Sequence, residues 1–353
     1  MFNQSQAEAI LGGRVRRIAP LGEDAADRAQ KKAGYGTPVL LEYEIAGETR
    51  RAVLHTMSPS HFGHEHMSDR AQILLWQRDA FNRLPRHIRA LDVGAFGRGE
   101  TTISLGAPEE FFLLTGYAEG SGYFLDLERV AKTGELTPLD LARADALCDY
   151  LIDIHRVPGP DPNLYVRRIR ELVGHGECIM GIIDSYAGTA FDPSDQLRRI
   201  EHLCVDWRWR LKNRTHRLNQ VHGDFHPWNI LFSEGTDFAV LDRSRGEFGD
   251  PADDVACLTI NYLFFSLERS GRLEGPFEHL FRRFWDRYLN GTQDTEMLEV
   301  IAPFFVFRAL VLANPLWYPN LSEKIRRQLF AFSLAVLNEA RFDPAKVNQY
   351  CGL

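Results

Sequence analysis

Residues 221–254, VHGDFHPWNILFSEGTDFAVLDRSRGEFGDPADD, constrain the fold of this chain more than any other stretch. Histidine, aspartate and asparagine gather there in two short polar loops, each bordered by β-forming residues: Ile230, Leu231 and Phe232, then Phe238, Ala239, Val240 and Leu241. That spacing predicts loop, strand, turn, strand, loop. Such a hairpin brings Asp224, Asn229 and Asp242 close together, although Asp224 and Asp242 are eighteen positions apart. Oxygen donors in that arrangement suit a hard cation such as Mg²⁺, with phosphate oxygens completing its shell.

Three motifs follow one another within these 34 residues: H-G-D-x-x-x-x-N at His222, Gly223, Asp224 and Asn229; an aspartate after an apolar strand, Asp242; and G-D-P-x-x-D at Gly249, Asp250, Pro251 and Asp254. Together and in this order they resemble the aminoglycoside phosphotransferase and choline kinase family, which shares the protein-kinase-like fold. The resemblance implies a bilobal α+β chain. A small β-rich N-terminal lobe over 1–115 would cover a nucleotide, 116–122 would form a hinge, and a larger, mainly helical lobe over 123–353 would carry the catalytic loop and acceptor pocket. It further implies transfer of the γ-phosphoryl group of ATP or GTP to a hydroxyl of a small molecule. Asp224 would accept or orient the hydroxyl proton, Asn229 and Asp242 would hold Mg²⁺, and His222 would brace the loop by hydrogen bonding. Asp250 is expected to order its turn, and Asp254 to cap the helix that begins around Pro251.

The first third of the chain reads as a helix over 3–11 and strands over Val15–Leu21, Pro38–Ile45 and Arg51–Thr56, as a β-rich lobe requires. The segment 22–36, GEDAADRAQKKAGYG, occupies the place of a phosphate-covering loop but has no G-x-G-x-x-G; a charged surface insertion is the competing reading. His55 stands in the third strand where the family places a phosphate-binding lysine, and none of the six lysines (31, 32, 132, 212, 324, 346) lies there. Three explanations stay open. His55 contacts phosphate itself; Arg243 and Arg245, just after Asp242, supply the charge; or the chain has lost transfer and is a pseudokinase-like module that binds a nucleotide or metabolite. Simple pairing of the two arginines with Glu247, Asp253 or Asp254 is the structural alternative.

A helix from about Met67 to Asn82 follows the cluster His61, His64, Glu65, His66, Asp69. The spacing in that cluster matches neither H-E-x-x-H nor a zinc finger, so capping and solvation explain it better than a metal. Glu65 or Asp69 would face His55. Phe111–Leu114 is expected as the last strand of the small lobe, leading to a glycine-broken linker, TGYAEGSGY. By resemblance, Thr115, Gly116, Tyr117 and Ala118 would meet the adenine edge. Beyond it, helical periods mark Thr137–His155, Leu164–Val173 and Ser194 to about Arg217.

The net charge of −7 supplies no excess positive field for nucleic acid. The five cysteines are scattered without a C-x-x-C pair, which fits a reducing cytoplasm rather than a disulfide scaffold. No secretory signal opens the chain, and the apolar runs at 256–267 and 300–318 are too short or too broken for a membrane span. A monomer and a homodimer both suit these features. In the segment 256–318, seven acids stand against six arginines, amid the aromatic runs Asn261–Phe265 and Pro303–Phe307 with Trp317 and Tyr318. That near-balance favours a neutral or partly apolar alcohol over an aminoglycoside as acceptor. The aromatics otherwise belong to the core.

Overall fold

The computed structural model describes residues 3–20, 36, 38–106, 110–111, 113–186, 188, 191 and 193–353. Apart from Gly36, the segment 22–36 lies outside the described residues. The chain divides into two compact units, Met1–Thr115 and Gly116–Leu353.

In the first unit, α1 (Gln4–Leu11) precedes three antiparallel strands, β1 (Arg14–Pro20), β2 (Val39–Ile45) and β3 (Glu48–Leu54), in the order β1-β2-β3. Asn3 starts the helix with a reciprocal cap: its side chain accepts from the Gln6 N–H at 2.9 Å and its own N–H donates to the Gln6 side chain at 3.2 Å. Gly12 ends it in the left-handed region, at φ 62°. β2 and β3 are joined through Ala46 and Gly47, both at positive φ (55° and 83°), a geometry that matches the twist of a two-residue hairpin. The tight turn makes β3 begin at Glu48, three residues before the expected start, and end at Leu54; His55 is therefore one residue past the strand. Ala7, Val15, Leu41 and Tyr43 form a small core against which Leu11, Ile45 and Leu54 pack.

The unit continues with α2 (Met67–Arg83), close to its expected bounds, and a short hairpin of β4 (Gly94–Phe96) and β5 (Thr102–Ser104). Phe111–Leu114 departs from expectation. Its described residues belong to no strand, and Phe111, Leu113 and Leu114 are exposed, without a sheet partner among the described residues.

The second unit is mainly helical: β6 (Ser121–Gly122), α3 (Tyr123–Thr133), α4 (Pro138–Ile154), α5 (Asn163–Gly174), α6 (Ile179–Asp184), α7 (Ser194–Leu211), β7 (Asn219–Gln220), β8 (Ile230–Phe232), β9 (Phe238–Val240), β10 (Phe248–Gly249), α8 (Ala252–Ser270), α9 (Gly275–Thr292), α10 (Met297–Val300), α11 (Ala302–Ala313), α12 (Glu323–Asn338) and α13 (Val347–Tyr350). The α+β expectation, strands early and helices late, is met. α4 shows how the sequence sets these helices: Thr137 caps it, Pro138 opens it, and Leu147, Cys148, Leu151 and Ile152 lie on its buried face. α7 stops at Leu211, six residues short of the expected end, and a 3₁₀ turn at Thr215–Arg217 takes its place.

α8 is the axis of the unit. Every residue from Ala252 to Leu267 is buried, the pattern of a helix enclosed on all sides. α11 is nearly as enclosed, and Phe264, Phe265, Phe304, Phe305 and Phe307 are core residues. The core reading of those aromatic runs therefore holds. Among the described residues no helix is long and apolar enough to cross a membrane.

A buried ion pair secures the entry to α8. Arg217 donates to both Asp250 oxygens at 2.9 Å, and Tyr165 adds its hydroxyl at 2.8 Å. Asp250 also accepts from the Ala252 N–H at 3.0 Å, so it orders the turn as expected and carries an ion pair besides. Removing the Asp250 carboxylate leaves the buried Arg217 only Asp294 and Glu296 at its other edge, and leaves the Tyr165 hydroxyl without its acceptor. Asp250→Ala is expected to cost about 3–5 kcal/mol in chemical denaturation; a loss below about 1 kcal/mol would contradict this account of the turn.

Candidate active site

The polar loops of 221–254 surround a genuine hairpin. β8 and β9 pair antiparallel, with Ile230 opposite Val240 and Phe232 opposite Phe238, and Leu241 N–H donates to the Asn229 carbonyl at 2.8 Å. Asn229 and Asp242 thus lie at the same end of the hairpin. Asp242 adopts φ 53°, a left-handed backbone that aspartate tolerates better than most residues and that often marks a functional turn. Among the described residues its carboxylate has no hydrogen-bond or ion-pair partner.

The loop before the hairpin is tied at its main chain. His222 Nδ1 accepts from the Asp224 N–H at 3.2 Å, and Asn229 Nδ2 donates to the Asp224 carbonyl at 3.1 Å. His222 is 2% exposed, so it braces from within. With Nδ2 committed, the oxygen of Asn229 is the atom left to face a cation. Asp242 offers a second hard oxygen donor, so the pair fits Mg²⁺. No group of three or more His, Cys, Asp or Glu side chains converges as a metal site among the described residues.

Asp254 corrects an expectation. It does not cap α8; its carboxylate turns back to the loop and accepts the N–H groups of His222 and Gly223, both at 2.7 Å. His155 Nε2 lies 3.1 Å from it, and His155 Nδ1 is 2.7 Å from the Tyr288 hydroxyl. Burial pushes the Asp254 carboxyl up, but the His155 contact and the two N–H donors prevail and hold it below the usual range.

Asp224 is half-buried and its first oxygen is engaged. Arg308, from α11, donates Nη1 to Asp224 Oδ1, and Nη2 to the Gly223 carbonyl at 2.8 Å and Asp253 Oδ1 at 2.7 Å. Arg245 Nε is 3.9 Å from the same Asp224 oxygen, while His226 Nε2 is 3.7 Å from the other, Oδ2. Burial raises the Asp224 carboxyl; Arg308, His226 and Arg245 outweigh it and keep the group below the ordinary carboxylate range. Asp253 goes the other way, raised by burial despite Arg308. Burial lowers His226, which feels both Asp224 and Asp242.

Arg243 is exposed and pairs with no acid among the described residues. It donates to the main-chain carbonyls of Val221 (3.0 and 2.8 Å) and Glu247 (2.8 Å). Arg245 donates to the Glu177 carbonyl at 3.2 Å and touches Cys178 Sγ at 3.5 Å. Burial pushes that thiol up to about 11, which favours its neutral form. In the first unit His55 is exposed at the end of β3, and Asp69 accepts from the His66 N–H at 2.8 Å, capping α2. Thr115, Gly116 and Tyr117 are exposed and Ala118 half-buried.

A model of the phosphotransferase enzyme family matches residues 109–295, more than half of the chain and the whole of this loop and hairpin. The chain belongs to that family. A search of curated proteins finds no match. Similar solved structures include a glucosamine kinase (18% identity, TM-score 0.40, covering 61% of this chain) and an amicoumacin kinase bound to AMP-PNP, Ca²⁺ and Ami (16%, 0.43, 93% of this chain and 96% of that one). A Plasmodium vivax ethanolamine kinase is 13% identical at a TM-score of 0.35, over 90% of this chain and 78% of that one. The chain spans 57% of the length of the glucosamine kinase structure. With TM-scores below 0.5, these likenesses carry no argument; membership in the phosphotransferase family rests on the matched residues.

Four residues of this candidate site were not singled out from the sequence: Arg308, His155, Tyr288 and Arg217. Arg308 left a signal, being the only charge in the apolar run 302–313, where a buried guanidinium must find partners. For Asp254→Ala we expect faster hydrogen exchange at the His222 and Gly223 amides and a stability loss of about 3 kcal/mol or more; unchanged exchange would refute the tether. Arg243→Ala should cost about 1 kcal/mol through its carbonyl contacts, read by thermal unfolding.

Proposed function

We propose that this phosphotransferase moves the γ-phosphoryl group of ATP, or GTP, to a hydroxyl of a small molecule in a Mg²⁺-dependent reaction. The acceptor oxygen forms a bond to the γ-phosphorus while the bond from that phosphorus to the bridging oxygen breaks and the nucleoside diphosphate leaves. The acceptor's proton passes to Asp224, or is oriented by it until transfer is complete. The observation that carries this reading is the position of Asp224. It is fixed at its main chain by His222 and Asn229 and held ionised by neighbouring cations, as a group that must accept a hydrogen bond requires.

Asn229 and Asp242 are the residues that would hold the metal, which when bound would offset charge built up on transfer. Asn229 does so with its oxygen, its nitrogen being committed to the Asp224 carbonyl. His222 braces the loop. His55, Arg243 and the stretch Thr115–Ala118 remain the residues proposed for the nucleotide, with Arg243 the least free because three contacts to carbonyls occupy it. On the acceptor, two guanidinium groups beside Asp224 oppose an ammonium-rich molecule, and support a neutral or partly apolar alcohol.

The test is transfer from ATP and GTP with Mg²⁺ across a panel of amino alcohols, sugars and antibiotics. Asp224→Asn should lower kcat by roughly 10²–10⁴-fold, and Asp242→Ala should raise the Mg²⁺ concentration needed for half-maximal rate. Nucleotide binding with no transfer above the Asp224→Asn level would overturn the enzyme and leave a nucleotide-binding regulatory chain.

A further inference from the structure

Arg308 lies 84 positions after Asp224, on a helix that the motifs of 221–254 do not include, yet its guanidinium is spent almost wholly on the catalytic loop. Nη1 takes Asp224 Oδ1; Nη2 takes the Gly223 carbonyl at 2.8 Å and Asp253 Oδ1 at 2.7 Å. The group also lies over the Phe307 ring, 4.4 Å from its centroid, and is 7% exposed. Had neutralising Asp253 been its whole task, one edge would have sufficed. Instead the fork spans two carboxylates and a carbonyl, with Asp253 as a post fixed on α8.

The consequence falls on the two Asp224 oxygens. Oδ1 is occupied by Arg308, with Arg245 Nε at 3.9 Å, whereas among the described residues Oδ2 has only His226 Nε2 at 3.7 Å, beyond hydrogen-bond range. The Asp224 main chain is already fixed, so the remaining freedom is rotation of its side chain, and Arg308 restricts that rotation. We propose that Arg308 is a positioning residue, holding Asp224 Oδ1 so that Oδ2 is the oxygen presented to the acceptor hydroxyl. This rests on the phosphotransfer reading. It adds that α11 sets the orientation of the base from outside the loop.

A planar fork does what a lysine cannot, since an ammonium is a point charge and cannot hold both carboxylates at fixed angles. Misplacement of a reacting group by about 1 Å can cost on the order of 10²-fold in rate. Arg308→Gln is therefore expected to lower kcat by about 10²-fold while nucleotide KM stays within about twofold, and Arg308→Lys should recover only part of the loss. In the double variant with Asp224→Asn, Arg308→Gln should have no further effect, because the oxygen it orients is gone. Arg308→Gln leaves Asp253 uncompensated in the interior, so the same cycle is run in an Asp253→Asn background, which removes that buried charge.

A second readout needs no turnover: the guanidinium ¹⁵N–¹H signals of Arg308. Asp224→Asn should shift and broaden the Nη1 signals and spare Nη2, and Asp253→Asn should do the reverse. If wild type transfers phosphate but the Arg308 and Asp224 effects multiply independently, or if Asp224→Asn leaves the Nη1 signals unchanged, the positioning role is overturned. If the signals respond as expected and no acceptor is phosphorylated, the clamp stands and the phosphotransfer reading fails.

Discussion

The buried carboxylate of Asp254 is the contact on which the rest of the site depends. An isolated carboxylate that far from water costs more free energy than the fold can spare, so it persists only if its lone pairs are filled. Here two main-chain N–H groups and His155 fill them, with Tyr288 behind His155. The same bonds answer the loop's need, since His222 and Gly223 are buried and their amides must find acceptors. Each side of the arrangement removes the other's penalty. The loop is thereby attached to the most enclosed helix of the second unit, α8.

Attachment at that point explains local features that otherwise look unrelated. Gly223 has φ 87°, and a side chain there would be both strained and crowded, its Cβ 3.3 Å from that of Arg245. The turn lets both amides of 222 and 223 point toward Asp254 while Asp224 faces away. One turn earlier in the chain's approach to α8, Asp250 plays the matching part with Arg217 and Tyr165. The helix is held at its start by two buried acids of different partnership, one binding a 3₁₀ turn and α5, the other the loop of His222 and Gly223. Asp250 orders its turn as expected, whereas Asp254 serves the 222–223 amides and not the helix end, which is why reading it as a cap failed.

The local pattern was legible wherever short-range chemistry decides structure. The hairpin of 230–240, the capped start of α4 and the extent of α2 follow from alternation, capping residues and helical period within a few positions. Legibility failed where a decision is made by distant partners. Phe111–Leu114 has the composition of a strand but no sheet edge to join among the described residues. Asp254 sits in the first turn of α8, and its carboxylate turns back to His222 and Gly223, some thirty positions earlier, a pairing that no local pattern signals. Arg243 could be narrowed to phosphate or acid, but not to carbonyl oxygens, because main-chain acceptors leave no mark in the sequence.

Counting charges in 256–318 failed for a related reason. The seven acids and six arginines balance, but most are paired away from the loop: Arg282 with Glu278, Arg272 with Glu274, Arg283 and Arg287 with Asp145 and Asp149, Asp294 and Glu296 with Arg217, and Glu299 with Arg214 and Arg341. Those among them that lie at the surface contribute little, and pairs already satisfied within the fold carry no information about a ligand. Arg308 alone of these thirteen reaches Asp224, and it does so from a buried position where an unpaired charge would be intolerable. What governs the surroundings of the proposed base is therefore the one charge that the fold could not leave on the surface, and a regional sum gives that charge no more weight than any other.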